Sequence, residues 1–150
     1  MNRPSWKEIF VQITDIIARR SSCSRVQVGA ILVKENRIIS MGYNGVPKGQ
    51  EHCNEHFKNA DLNSKEFYDE HGKFSIRHEL HAEENVLSFA AKNGIETNGA
   101  VMYVSYTPCM ACAKLILQCG IKEVYYIHPY DRDMSGKDFL NENNVKCEQI

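Results

Sequence analysis

No stretch of this 150-residue chain approaches the roughly 18 consecutive apolar residues of a membrane-spanning helix. Residues Met1 to Glu8 carry no apolar h-region, so no secretory signal and a cytoplasmic setting are expected. Neither sign of charge dominates. Lys and Arg number 18 against 19 Asp and Glu, a formal net charge of −1. A long nucleic-acid ligand ordinarily needs a basic face, so the balance points to a small substrate, with no nucleic acid and no membrane as partner. Internal repeats and low-complexity tracts are absent. The length suits one domain, expected over 1–150, and the 43% apolar and 25% charged content is that of a globular chain. A chain this long buries roughly 68–70% of its unfolded surface, so the core needs no staples.

Cysteine, by contrast, is plentiful, with six residues. A C-x-x-C beside a βαβ pattern in a cytosolic chain suggests metal or redox chemistry before disulfides. The upstream His81-Ala82-Glu83 favours metal, because a redox motif needs no His-x-Glu partner. His81, Cys109 and Cys112 make three protein ligands, and a catalytic zinc keeps its fourth tetrahedral position open for water. Glu83 follows His81 by two residues, about 200° around a helix, and is read as a proton carrier beside the metal, not as a ligand. Thr107 is the expected N-cap and Pro108 the first residue of the helix that carries both cysteines. Their thiolates then sit at the positive end of a helix dipole, which lowers thiol pKa and favours metal binding.

Along the chain, residues 5–20 show helical apolar spacing (Trp6, Ile9, Phe10, Ile13, Ile16, Ile17), with a Ser5/Glu8 capping box. Strands are expected at 26–33 and 37–41, joined by a turn at 34–36 into an antiparallel hairpin. Asn44, in Gly-Tyr-Asn-Gly, has two readings, a left-handed turn residue or a ligand contact. Residues 46–78 are polar with little apolar periodicity and are expected as a long insert pinned by metal-friendly side chains. A helix follows from about Ser75 or Glu79 to Asn93, with Val86, Leu87, Phe89 and Ala90 as core contacts or as a face that meets another subunit. A strand at 100–106, a helix at 108–119 and a strand at 123–128 form a parallel βαβ unit. A short helix near 135–142 and a strand near 145–148 close the chain. The fold class is α/β, a mixed five-stranded sheet with helices on both faces. Packing the two motif-bearing helices on one face would bring their N-termini together.

The ordered set Cys-x-x-x-x-Val-Gly-Ala (23–30), Gly-Tyr-Asn-Gly (42–45), His-Ala-Glu-x-Asn (81–85), Thr-Pro-Cys-x-x-Cys-Ala-Lys (107–114) and Gly-Ile-Lys-Glu-Val (120–124) resembles the deoxycytidylate deaminases of the zinc-dependent cytidine deaminase superfamily, phage-type members included, over about residues 5–150. The resemblance implies the cytidine-deaminase-like three-layer α/β/α fold and conversion of dCMP to dUMP with loss of ammonia. It implies zinc on His81, Cys109 and Cys112, with Glu83 shuttling protons. By the same likeness the Ala82 N–H meets the pyrimidine carbonyl, Asn44 the base or sugar, Arg25 the 5′-phosphate and Tyr130 the phosphate end of the pocket. It further implies a homo-hexamer activated by dCTP and inhibited by dTTP, with Mg accompanying the triphosphate. Lys48 is the one effector-site position singled out.

Cys23, Cys53, His71 and Glu79 match positions that hold a second, structural zinc in some phage-type members. His52, His56 or His78 could replace a member of that set, and the plain alternative is a free cysteine pair with surface histidines. A surface charge is the plain reading of Arg25, and small buried residues that of Cys119 and Cys147. Deamination of dCTP as well on the same core, a tRNA or free-base deaminase, and a catalytically silent zinc domain are the competing functions. A tRNA enzyme calls for a basic footprint, a free-base enzyme would have no use for Arg25, and Glu83 argues against the silent domain.

Overall fold

The computed structural model describes residues 2–150. Ser5 caps helix α1 (Trp6–Ala18), accepting from Glu8 N–H while the Glu8 carboxylate accepts from Ser5 N–H. Strands β1 (Gly29–Lys34) and β2 (Arg37–Tyr43) form the hairpin, with Glu35 and Asn36 at φ 51° and 58°. Positive φ at both turn residues is the twist-matched connection for a two-residue hairpin. Then come α2 (Cys53–His56), α3 (Lys65–His78), α4 (Ala82–Lys92), β3 (Val101–Tyr106), α5 (Met110–Gln118), β4 (Glu123–His128), α6 (Ser135–Glu142) and β5 (Lys146–Gln149).

The sheet order is β2-β1-β3-β4-β5. β1 is antiparallel to both β2 and β3, whereas β3, β4 and β5 run parallel. Side chains alternate across this sheet, as the pleat requires. Ala30, Leu32, Met102, Val104, Val124 and Tyr126 share a core with Val86 of α4, Ile116 of α5 and Leu140 of α6. Ile31, Val33, Tyr103 and Tyr125 face the other way and cluster with Phe10 of α1. Helices therefore cover both faces, as the sequence pattern predicts.

Four expectations need correction. Residues 46–78 are not a long loop, since α2 and α3 occupy much of the segment. Ser64 caps α3, accepting from Phe67 N–H at 3.1 Å. Its buried stripe is Phe67, His71 and Phe74. A histidine in the middle of the stripe is what breaks the apolar periodicity. Phe57 locks the lobe together, edge-on to Phe67 and Phe74 at 5.2 and 5.5 Å between ring centroids.

The expected single helix from Ser75 or Glu79 to Asn93 is two helices. The chain leaves helical geometry at Glu79 because Leu80 pairs with Gly45 through two backbone hydrogen bonds of 2.8 and 3.1 Å. Phe89 of α4 is 49% exposed, not a core contact. Trp6 and Ile16 of α1 are likewise exposed.

The cap of α5 is Cys109, not Thr107. Parallel pairing runs on past Tyr106↔His128, because Thr107 N–H donates to His128 O at 3.2 Å. That extends the backbone at Thr107 and moves the helix start two residues on. The Thr107 hydroxyl accepts from Tyr130 N–H at 3.1 Å instead.

Candidate metal centre and cavity

His81 is the N-cap of α4 and Cys109 the N-cap of α5. Two helix beginnings thus meet side by side, each with first-turn N–H groups unspent and a positive dipole end. Glu84 fixes the first of them, its carboxylate accepting from His81 N–H at 2.7 Å. Cys109 Sγ accepts from Cys112 N–H at 3.5 Å, so the cap is a sulfur where a hydroxyl would be ordinary.

His81 Nδ1 lies 3.4 Å from Cys112 Sγ and 3.6 Å from Cys109 Sγ. Tetrahedral zinc, with bonds of about 2.3 Å to sulfur and 2.0 Å to nitrogen, sets N···S edges of about 3.5 Å. The geometry therefore suits that ion. The protonation pattern agrees. The Cys112 thiol beside it pulls Cys109 down to about 4, and the same contact pushes Cys112 up. Cys109 in turn lifts His81 to about 9. A thiolate facing an imidazolium marks a place where a divalent cation displaces protons.

Glu83, the second residue of α4, is buried and stands outside this donor group. Burial pushes its carboxyl up to about 7. Ala82, first in the helix, is wholly buried. His81, Glu83 and Cys109 line a cavity of about 370 Å³, with Asn44, Arg25 and Tyr130 also on its walls. The other two metal-motif residues, Ala82 and Cys112, are not on that lining.

Asn44 is not a left-handed turn residue, since its φ is not positive. It braces the approach to β1. Its side-chain oxygen accepts from Val28 N–H and its amide donates to Val26 O, both at 2.8 Å. The reason is that β2 stays extended through Tyr43. Gly42 makes room there, because a Cβ on it would approach the Asn85 side chain to 3.2 Å. Tyr106 and Thr107 also line the cavity, a role the sequence reading missed. Their position at the C-terminal end of a central strand, just before the cysteine motif, is the signal that could have found them.

A second donor group stands across the same cavity. Cys23, Cys53, His71 and Glu79 each offer a ligand atom within 4.8 Å of the others. Cys23 Sγ is 3.3 Å from His71 Nε2. The Cys53 thiol hydrogen-bonds to Cys23 and pulls it down, while burial first of all pushes Glu79 up. His71 Nδ1 and Glu79 Oε1 are buried without a hydrogen-bond partner, an arrangement that is expensive unless something is bound. His52, His56 and His78 are not in the group. His52 Nδ1 lies beside Ser22 Oγ, and His56 pairs with Glu51 at 3.0 Å.

An α/β sheet whose two helix starts present one histidine and two cysteines beside a buried, uncoordinated carboxylate defines a class, the metal-dependent hydrolytic deaminases. The chain belongs to the cytidine and deoxycytidylate deaminase family. The family region described as "Cytidine and deoxycytidylate deaminase zinc-binding region" matches residues 4–128. Among its relatives, ComE operon protein 2 of Bacillus subtilis is 37% identical over 150 residues, covering 100% of this chain and 74% of that protein. The deoxycytidylate deaminase of Enterobacteria phage T2 is 35% identical over 160 residues, 89% of this chain and 85% of the phage protein. The dCMP deaminase of cyanophage S-TIM5, crystallised with dCMP and dUMP, superposes with a TM-score of 0.81 at 32% identity, covering 100% of both chains. No helix among the described residues is long and apolar enough to cross a membrane.

Proposed function

We propose that the protein hydrolyses dCMP to dUMP and ammonia and so supplies dUMP for thymidylate synthesis. The observation that carries this is the pairing, in one cavity, of a three-donor metal group and buried Glu83 with a lone cation, Arg25, on the wall. Arg25 is the only Lys or Arg on that lining among the described residues, and a phosphomonoester is what such a cation recognises. The name of the phage T2 relative and the nucleotides bound by the cyanophage enzyme support the same substrate.

His81, Cys109 and Cys112 would hold the zinc, which when bound supplies Lewis-acid activation of the attacking water. Glu83 takes a proton from that water and delivers it to ring N3. With the water oxygen bonded to C4, Glu83 carries the second proton from that oxygen to the exocyclic amine, and the C4–N bond breaks to release ammonia while the oxygen remains as the uracil carbonyl. Burial keeps the carboxylate away from bulk water, so its proton goes to the substrate. The Ala82 N–H, between the cavity-lining His81 and Glu83, orients the pyrimidine carbonyl, the Asn44 amide N–H not given to Val26 O orients the base or sugar, and Arg25 with Tyr130 the phosphate.

Cys23, Cys53, His71 and Glu79 would hold a second, structural zinc, a reading supported by their mutual distances and by the two unpartnered buried atoms. Metal analysis then gives two zinc per chain, falling to one in Cys53→Ser. One zinc in the unaltered protein overturns this part. We extend the reading to a homo-hexamer activated by dCTP, with Mg, and inhibited by dTTP. The exposed Phe89 of α4 and Leu115 of α5, on helices that cover the same sheet face, support a subunit face.

A substrate panel of dCMP, dCTP, cytidine, guanine and adenosine, run with and without dCTP and dTTP, tests the whole. Turnover confined to a free base or to adenosine would overturn it.

A further inference from the structure

Arg25 stands at the cavity wall with its guanidinium over the ring of Tyr68, Cζ lying 5.1 Å from the ring centroid. No carboxylate pairs with it among the described residues. Tyr68 belongs to α3, the helix that apolar periodicity does not reveal, and is 45% exposed. The same two segments meet once more nearby. Cys23, two residues before Arg25, touches His71, three residues after Tyr68, at 3.3 Å. Residues three apart on a helix share a face, so α3 meets the Cys23–Arg25 segment at two successive points.

A cation is attracted to an aromatic face within about 6 Å of the centroid. That contact draws on the charge of the guanidinium, and none of its five N–H groups is hydrogen-bonded to an oxygen or paired with an acid among the described residues. An arginine held this way keeps its donors for a bidentate oxyanion such as a phosphate. An ion pair with an acid would spend those donors and compete with phosphate. The ring instead restrains a long, flexible side chain whose ordering would otherwise be charged against binding.

We propose that Tyr68 is a positioning residue for the substrate phosphate. It acts through Arg25, and α3 thereby forms the wall of the nucleotide's phosphate subsite. This rests on the reading of Arg25 as the phosphate ligand, and the test separates the two.

Steady-state kinetics on dCMP with the zinc-loaded protein would compare Arg25→Ala, Tyr68→Phe, Tyr68→Leu and the double variant Arg25→Ala/Tyr68→Leu. Metal content and circular dichroism check that each is folded. Arg25→Ala should raise KM by about ten- to a hundredfold, as loss of a charged hydrogen bond does. Tyr68→Leu should raise KM about threefold with kcat nearly unchanged, on the scale of an exposed cation–π contact. Tyr68→Phe, which keeps the ring face, should retain the original KM. The double variant should be no worse than Arg25→Ala alone.

An unchanged KM in Tyr68→Leu, an equal loss in Tyr68→Phe, or losses that multiply in the double variant would overturn the role of Tyr68 while leaving Arg25 in place. A normal KM in Arg25→Ala would overturn the phosphate reading and this inference with it. A fall in kcat with unchanged KM in Tyr68→Leu would show a general structural effect and also overturn the proposal.

Discussion

Glu83 and Gly136 show how much can hang on one side chain, or on the lack of one. Glu83 lies beside the donor group without belonging to it, so its removal should separate chemistry from metal binding. Glu83→Gln should keep full zinc content while kcat drops by at least about a hundredfold, the usual scale of a lost proton carrier. Metal content measured alongside turnover checks this, and retained turnover would remove Glu83 from its role. Gly136 is a matter of space. A Cβ there would come within 2.1 Å of Pro108 O and 2.9 Å of Cys109 C. Gly136→Ala should therefore push the Cys109 backbone away, costing about 1–3 kcal/mol of stability and speeding zinc loss to a chelator. Gly72 of α3 has nothing within 4 Å of a built Cβ and no positive φ. Gly72→Ala should instead stabilise by about 0.5–1 kcal/mol, as alanine does inside a helix. Thermal melts of the two variants check both signs.

At the scale of elements, the two helix starts make the candidate metal centre and α3 makes the opposite wall. Each start was readable from its motif, but the residue doing the capping was not. Thr107-Pro108 carries the local signal of a helix start, yet the pairing of Tyr106 with His128 keeps that stretch extended. A parallel neighbour brought from more than twenty residues away overrode a local preference. The same cause hid α3. His71 reads as polar in a sequence, and only the lobe formed with Phe57, Cys53 and Cys23 makes it an interior residue. The helix depends on its own cap as well. Ser64→Ala should cost about 1 kcal/mol, read from the denaturation midpoint. The same variant should accelerate metal release from the His71 group and not from the His81 group.

For the whole molecule, the two donor groups tie together segments far apart in the chain. One joins the residues before β1 and α2 to the end of α3, and the other joins α4 to α5. A ligand bound only by the folded state stabilises it by RT ln(1 + [L]/Kd), several kcal/mol for a tight metal. Stripping metal with a strong chelator should thus lower the melting temperature by roughly ten degrees or more for a domain of this size. Zinc added back should restore it. A melt unchanged by chelation would show that the folded chain does not depend on these groups.

The sequence by itself determined the ingredients of the site. The spacing of His81, Glu83, Cys109 and Cys112 encodes donors and proton carrier in two helix turns, where local geometry is short-range and residue identity decides the chemistry. The strands and the parallel β3–α5–β4 unit were legible for a similar reason, since alternation and helical spacing are local properties. Packing between remote segments is what turns His71 inward, sets Asn44 to brace β1 and rests Arg25 on Tyr68. Each of those depends on which distant segment lies alongside, and contact between residues remote in sequence leaves no periodic trace along the chain.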